Sequence, residues 1–522
     1  MPRSTISNEI QGCPQHGTEI FKFGAFYPWR YDHFNHPGKS ICPIGGEIYP
    51  SNDYDNDDFL SGAYPDDGFG YIDADGNRYQ FVGAQNWSRV KNYLGGIMLL
   101  GRAYRGGTLP DGVTPAALLD RIGVMITRFV AEELYLAAVP QFRFGNHHYS
   151  MKIRGWGPPE TAGLSYPHHY TVASGTQDYC VNQAGVITQL ATLYDAIYDD
   201  LKINERLPQI LRPLGVEVGA PSEILQMVEE MIACFVQHDM DGYNNTNHPG
   251  TSLGTLVALR VLDPIKLADA VAYLYDDSDD QLRTQVPNGF YPDGVGYEAT
   301  GGYSAGHVIN TYKIVNQLEA LRRRRPEALP TDRFPPLQHD PRFRLMADPF
   351  RTTIYCGRTA LIYGDDRVPG AMSEGLDTST ALLKGVRHCS TGWVKQPLFA
   401  QEAFRHNPNS PLWAATLAEM GLADKEPGVP EVLAENPQAG EWPSLLLEHG
   451  GIGVLRLRRP DGRDYVAVGH HFISQPFHRH DDFMDVQLVA FNRVWSLDFG
   501  YPATHETCHY WEGSWAVHNR SK

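Results

Sequence analysis

The 522-residue chain has little cysteine, no excess of positive charge and no long apolar run, and each shortage removes a class of protein. Its seven Cys are odd in number and scattered from Cys13 to Cys508 without one Cys-x-x-Cys pair, so neither a disulfide framework nor a thiolate zinc site is indicated. A reducing compartment is the simpler reading. Lys and Arg total 44 against 61 Asp and Glu, a net charge of −17, the wrong sign for a protein that grips nucleic acid through its overall field. No stretch approaches the ~20 apolar residues of a membrane span. The first residues carry Glu9, His16 and Glu19 where a secretory signal would have its apolar core. The expectation is therefore a cytoplasmic protein, or a periplasmic or secreted one if a leader has been removed.

What is present is the composition of a globular protein, with 42% hydrophobic and 20% charged residues. The chain also carries 21 His, a residue that ligates metals and moves protons near neutral pH, and thirteen of them fall in the four stretches 147–169, 238–248, 470–480 and 505–518. Residues 1–85 are rich in Gly, Asp, Tyr and Pro and read as an irregular N-terminal lobe. Over 86–324 the pattern changes to amphipathic stretches broken at Gly, Pro and Asn, at 87–105, 115–139, 181–201, 221–238, 251–262, 264–275 and 305–324, which predicts packed helices. Five prolines between 325 and 342 mark a linker, 325–345, because proline cannot continue a helix. Beyond it, 352–363, 444–458, 464–472, 484–491 and 494–499 alternate apolar with polar residues as strands do, with one short helix at 411–422. Helices first and strands second predict an α+β multidomain chain, with an antiparallel β domain over 346–522.

Four constellations could carry chemistry. His478-Arg479-His480 sets two imidazoles on one side of an extended segment, and Asp498 on a following strand with His518 could close a metal site. A cupin would need a Glu shortly downstream, where Met484, Asp485 and Val486 stand. The loop Tyr243-Asn244-Asn245-Thr246-Asn247-His248-Pro249-Gly250-Thr251 gathers neutral donors suited to a carboxylate or hydroxyls, although Asn and Gly also populate ordinary turns. Residues 288–304 form a Gly- and Tyr-rich loop feeding a helix, in which a phenol beside two Gly, that of Tyr303, could donate or accept a proton, although aromatic residues in loops are more often packing anchors. Arg143, Asn146, His147, Lys152 and Arg154 supply local positive charge and donors, and Trp156 offers a stacking face for a sugar.

Taken together, these motifs resemble the heparinase II/III-like polysaccharide lyases, the group that includes heparinases and oligoalginate lyases. The resemblance runs from about residue 86 to the end. It rests on Gly451-Ile452-Gly453-Val454-Leu455-Arg456, His478-x-His480-x-Asp482, Leu497-Asp498-x-Gly500 and His518-Asn519 in the β domain. In the helical domain it rests on Asn247-His248-Pro249-Gly250-Thr251, where Pro249 is an insertion, and on Asp293-Gly294, Glu298 and Gly302-Tyr303.

The resemblance implies an (α/α) toroid followed by an antiparallel β-sandwich, with β-elimination at a uronic acid as the reaction. Asn247 and His248 would neutralise the uronate carboxylate, Tyr303 would carry the proton, and His478 would be a second acid–base group. Arg143, Asn146, His147, Lys152, Arg154, Trp156, Glu298 and Tyr510 would bind substrate. His480, Asp498 and His518 would hold a structural Zn2+. The expected partner is an acidic poly- or oligosaccharide, with neither nucleic acid nor membrane, and a homodimer is carried as the assembly expectation. The chain ends at Lys522, where the family pattern has further strands, so the sandwich is expected to be incomplete at its C-terminus. Two other readings stand beside the lyase: a glycoside hydrolase drawing two carboxylates from Asp178, Asp241, Asp293 and Glu298, and a zinc-braced carbohydrate-binding protein without catalysis.

Overall fold

The computed structural model describes residues 12–23, 28–52, 58, 60–66, 70–79, 81–107, 109, 111–138, 180–240, 249–262, 267–278, 281–298, 301–355, 359–361, 397–440, 443–458, 464–471, 485–490 and 493–496. The chain divides into two compact units, 1–280 with 317–329, and 281–316 with 330–522.

The first unit opens on short hairpins, β1 (Ser40–Ile41) with β2 (Ile48–Tyr49) and β3 (Tyr71–Ile72) with β4 (Arg78–Tyr79). Their core is aromatic: Tyr49 stacks on Phe81 at 4.7 Å, and Trp29 meets both rings edge-on. The main helices that follow among the described residues are α1 (Phe81–Gly106), α2 (Pro115–Ala138), α3 (Cys180–Lys202), α4 (Pro221–Met240), α5 (Gly250–Ala258) and α6 (Leu267–Ala272). Each overlaps a stretch whose apolar periodicity predicts it. Thr114 caps α2 by accepting from the Ala117 N–H at 3.2 Å, and proline fills the first position of α2 and of α4. Glycine permits the closest helix crossing: a Cβ on Gly254 of α5 would stand 3.1 Å from the Ala184 backbone of α3. The helices α2 and α3 both pack against α4, whose Glu229 accepts from the Tyr194 hydroxyl of α3 at 2.6 Å.

The second unit is built around one antiparallel sheet, a meander ordered β11-β10-β9-β8-β7. Its strands are β7 (Leu445–Leu447), β8 (Ile452–Arg458), β9 (Asp464–His471), β10 (Asp485–Ala490) and β11 (Arg493–Ser496), and a further pair, β5 (Ile354–Tyr355) and β6 (Thr359–Ala360), precedes it. Four of the five strands lie within stretches read as alternating and β11 overlaps one, but the stretch 444–458 holds two strands, β7 and β8, joined by a turn. Ile452, Val454 and Val489 turn to one face and pack with Val295 and Leu361. The opposite face carries Leu446, Leu455 and Leu457, each more than 60% exposed. Helix α7 (Gly301–Arg324) belongs to this unit through Asn316 and to the first unit from Gln317 onward.

Two helices of this unit, α8 (Pro397–His406) and α10 (Val429–Glu435), were not expected, whereas α9 (Pro411–Glu419) was. In α8 the buried residues Phe399, Ala400, Ala403 and Phe404 recur at helical spacing, but the stretch is short and flanked by Pro and Gly. The proline-rich segment is packed: Phe334 and Phe343 are fully buried. One of the three chain crossings between the units falls within it, at Leu329 and Pro330; the others follow residues 280 and 316. Among the described residues no helix is long and apolar enough to cross a membrane.

One buried contact in the second unit has a pH signature. Trp413, with no exposed surface, donates from Nε1 to the half-buried Asp348 carboxylate at 2.8 Å. Burial pushes that carboxyl up from 3.8 to about 7, and the hydrogen bond offsets part of the rise. The folded state therefore binds more protons than the unfolded state between about pH 4 and pH 7, and stability falls as pH rises through that window. Asp348→Asn keeps an acceptor for the indole and removes the charge. It is expected to raise the unfolding free energy relative to wild type at pH 8, by about 2–4 kcal/mol, and to change it little at pH 4. Urea unfolding at the two pH values checks this; an equal loss at both would contradict it.

Candidate functional site

The second unit places two of the predicted site residues on adjoining elements. Residues 290–298 form a tight loop ahead of α7, closed by the Tyr291 N–H donating to the Val295 carbonyl at 2.8 Å and by a bridge between Phe290 and Gly296. Gly294 has φ of +85°, and a Cβ there would stand 2.3 Å from the Leu345 carbonyl oxygen, so only glycine fits. Val295 plugs into the apolar face of the sheet. The Asp293 carboxylate completes the tie: one oxygen accepts the N–H groups of His449 and Gly450, in the β7–β8 turn, at 2.8 and 2.9 Å. From the other side, the Arg342 guanidinium donates to the carbonyls of Pro287 and Phe290.

Glu298 leaves this loop and Tyr303 lies on the first turn of α7. The Ser304 hydroxyl donates to the Glu298 carbonyl at 3.0 Å, coupling loop and helix. The Glu298 carboxylate lies 3.2 Å from Nε2 of His307. His307 was missed in the sequence. It sits four residues after Tyr303, hence on the same face of α7, and that spacing was the signal that could have found it. Burial, with Tyr297 and Asp293 beside it, raises the Tyr291 phenol.

The other predicted site residues, Asn247, His248, His478, Arg143, Asn146, His147, Lys152, Arg154, Trp156, Tyr510, His480, Asp498 and His518, lie outside the described residues. Of the four carboxylates considered for a hydrolase, Asp178 and Asp241 also lie outside them, and the other two have partners: Asp293 the β7–β8 turn, Glu298 the His307 ring.

A second cluster forms in the first unit, where the sequence reading saw no thiolate site. Cys13, His16, Cys42 and Glu47 bring one ligand atom each within 4.8 Å of one another. The sequence signal was there as two similar turns, Cys13-Pro14-Gln15-His16-Gly17 and Cys42-Pro43-Ile44-Gly45-Gly46, hidden because only one residue of each turn is a cysteine.

No protein-family model matches the chain, and no curated protein matches it. Among solved structures it is similar to a heparinase III gene product at 11% identity and a TM-score of 0.45, over 83% of this chain and 56% of the other. It is also similar to a heparan sulfate lyase mutant from Pedobacter heparinus, at 12% identity and a TM-score of 0.38, over 85% of this chain and 58% of the other. The chain thus spans just over half the length of the solved chains it matches.

The Asp293 tie generates a prediction. Asp293→Ala leaves two backbone N–H groups of the β7–β8 turn without their charged acceptor and is expected to lower stability by about 1–3 kcal/mol. Denaturant unfolding monitors it. An unchanged midpoint would show that the loop is held by Val295 and Arg342 alone.

Proposed function

We propose that the chain is a polysaccharide lyase that cleaves uronic-acid-containing glycans by β-elimination, on an (α/α) toroid followed by a β-sandwich. The observation that supports it most is the cluster of Glu298, Tyr303 and His307 at the start of α7, on a loop rigidly tied to the sheet. It joins the ordered set of motifs in the sequence. The apolar face formed by Ile452, Val454 and Val489 gives the five-stranded sheet the buried inner face that a sandwich layer needs.

In the proposed reaction Asn247 and His248 donate hydrogen bonds to the uronate carboxylate. The C5 proton is too weakly acidic while that carboxylate carries its full charge, and donors aimed at it stabilise the charge that develops as the proton leaves. Tyr303, as phenolate, takes the C5 proton. The electron pair forms the C4–C5 double bond, the C4–O bond breaks, and the leaving oxygen receives a proton from Tyr303 or from His478. No water is consumed. His307, ion-paired with Glu298, adds an imidazole to the face of α7 that carries Tyr303, and we assign the pair to positioning and to holding the local charge. Arg143, Lys152 and Arg154 bind the acidic sugar, with Asn146, His147 and Tyr510 as hydrogen-bonding groups and Trp156 as a stacking face.

The Zn2+ implied by the resemblance would be held by His480, Asp498 and His518, two imidazoles and a carboxylate, a donor set that suits zinc. It would brace the wall of the sandwich and takes part in no step above. The hydrolase reading needs two opposed carboxylates facing substrate, and the engagement of Asp293 with the β7–β8 turn weakens it. The compartment and a homodimeric assembly remain part of the proposal.

Incubating the full chain with alginate, heparin and heparan sulfate while following ultraviolet absorbance of the unsaturated product tests the reading. Absorbance should grow with at least one uronate polymer, and Tyr303→Phe should lower kcat by about 100-fold or more with the fold retained. No gain from a folded sample with any uronate polymer, or full activity in Tyr303→Phe, would overturn it.

A further inference from the structure

The cluster near the N-terminus has the composition and the spacing of a metal centre. Cys13 and His16 come from one turn, closed by the Cys13 N–H to the Gly17 carbonyl at 3.0 Å and the Gly17 N–H to the Cys13 carbonyl at 2.7 Å. Cys42 and Glu47 come from a second turn, closed by the Cys42 N–H to the Glu47 carbonyl at 2.9 Å and the Gly46 N–H to the Cys42 carbonyl at 3.1 Å. Left-handed glycines shape both, Gly12 and Gly17 in the first and Gly46 in the second. Gly45 leaves room for the carboxylate, since a Cβ there would stand 1.9 Å from Glu47 Oε1.

Three groups converge on a single ring nitrogen. His16 Nδ1 lies 3.7 Å from Cys13 Sγ, 3.5 Å from Cys42 Sγ and 3.5 Å from Glu47 Oε2. One imidazole nitrogen can offer at most one proton, so hydrogen bonding cannot satisfy all three. Glu47 Oε2 is buried and accepts no hydrogen bond, and the ring nitrogen that faces it at 3.5 Å is the one the two sulfurs also approach, an expensive position for a carboxylate oxygen. A cation at the centre resolves both problems. Zinc bonds of about 2.0–2.3 Å in tetrahedral geometry put ligand atoms about 3.3–3.8 Å apart, and all three measured separations fall in that range. The Tyr49 hydroxyl, 3.5 Å from Cys13 Sγ, adds an outer partner for a thiolate. Both cysteines are buried and neither forms a disulfide.

We propose that Cys13, His16, Cys42 and Glu47 bind a structural zinc ion that staples the two turns of the N-terminal lobe together. A site closed by four protein ligands has no position for substrate, so its role is to hold the fold. The two turns are 25 residues apart in a lobe with only two-residue strands, and a small lobe of that kind is where a metal staple is needed most.

The test uses the full chain, purified reduced and without chelator. Zinc analysis should find one ion per chain that a thiol-blocking mercurial releases. Replacing it with Co2+ should give the near-ultraviolet charge-transfer band of a thiolate–cobalt bond together with the visible bands of tetrahedral cobalt. Cys13→Ser with Cys42→Ser should abolish both signals, whereas His480→Ala should keep them, which separates this ion from any held by the β domain. Should the double variant fail to fold, the wild-type cobalt spectrum still decides, and Glu47→Gln should weaken zinc binding by about tenfold or more in chelator competition. Cobalt uptake without a thiolate band, an unchanged zinc-to-chain ratio in the folded double variant, or Cys13 and Cys42 recovered as a disulfide would each overturn the proposal.

Discussion

The Asp293 carboxylate is the contact on which the candidate site depends. Its two hydrogen bonds to the N–H groups of His449 and Gly450 fasten residues that precede α7 to the turn between β7 and β8, more than 150 positions later in the chain. A loop of this kind would otherwise be free to choose among many conformations, each residue ordered costing about 1–2 kcal/mol in backbone entropy. Val295 in the sheet core and Gly294 against Leu345 remove the remaining freedom. Glu298 and the first turn of α7, which carries Tyr303, follow directly from this base. Acid–base catalysis requires that, because a proton carrier displaced by about 1 Å can lose 100-fold in rate.

The same tie shows why Asp293 could be mistaken for a catalytic group. In sequence it is one of several carboxylates in a Gly- and Tyr-rich loop, and nothing local separates an acid that faces substrate from one that receives backbone donors. Only the β7–β8 turn makes the difference, and no periodicity in the sequence pairs residue 293 with residue 449. The pairing of Glu298 with His307 is the opposite case. Both partners lie within ten residues, and the spacing of Tyr303 to His307 is a helical one, so the information was local and could have been read.

Fold legibility follows the same division. Long helices such as α2 and α3 and the strands β8 to β10 declare themselves because one repeating face must be buried, and burial imposes its period on the sequence. Short helices such as α8 and α10, of ten and seven residues, repeat their buried face too few times for the period to stand out. The metal-like cluster was hidden for a related reason: each turn carries only one cysteine, and its second ligand is His16 in one and Glu47 in the other. The eye looks for Cys-x-x-Cys, but the four potential ligand atoms that lie within 4.8 Å of one another come from two separate turns.

In the proposed mechanism the bond is cleaved by loss of the C5 proton, with no water entering the product. Mass spectrometry of the products formed in water labelled with heavy oxygen tests this most directly. Elimination predicts fragments whose combined mass equals that of the parent glycan, an unsaturated non-reducing end on one of them, and no label incorporated at the cleaved bond. Label at the newly formed end, with a mass gain of one water per cleavage, would contradict it and would place the reaction with the hydrolases.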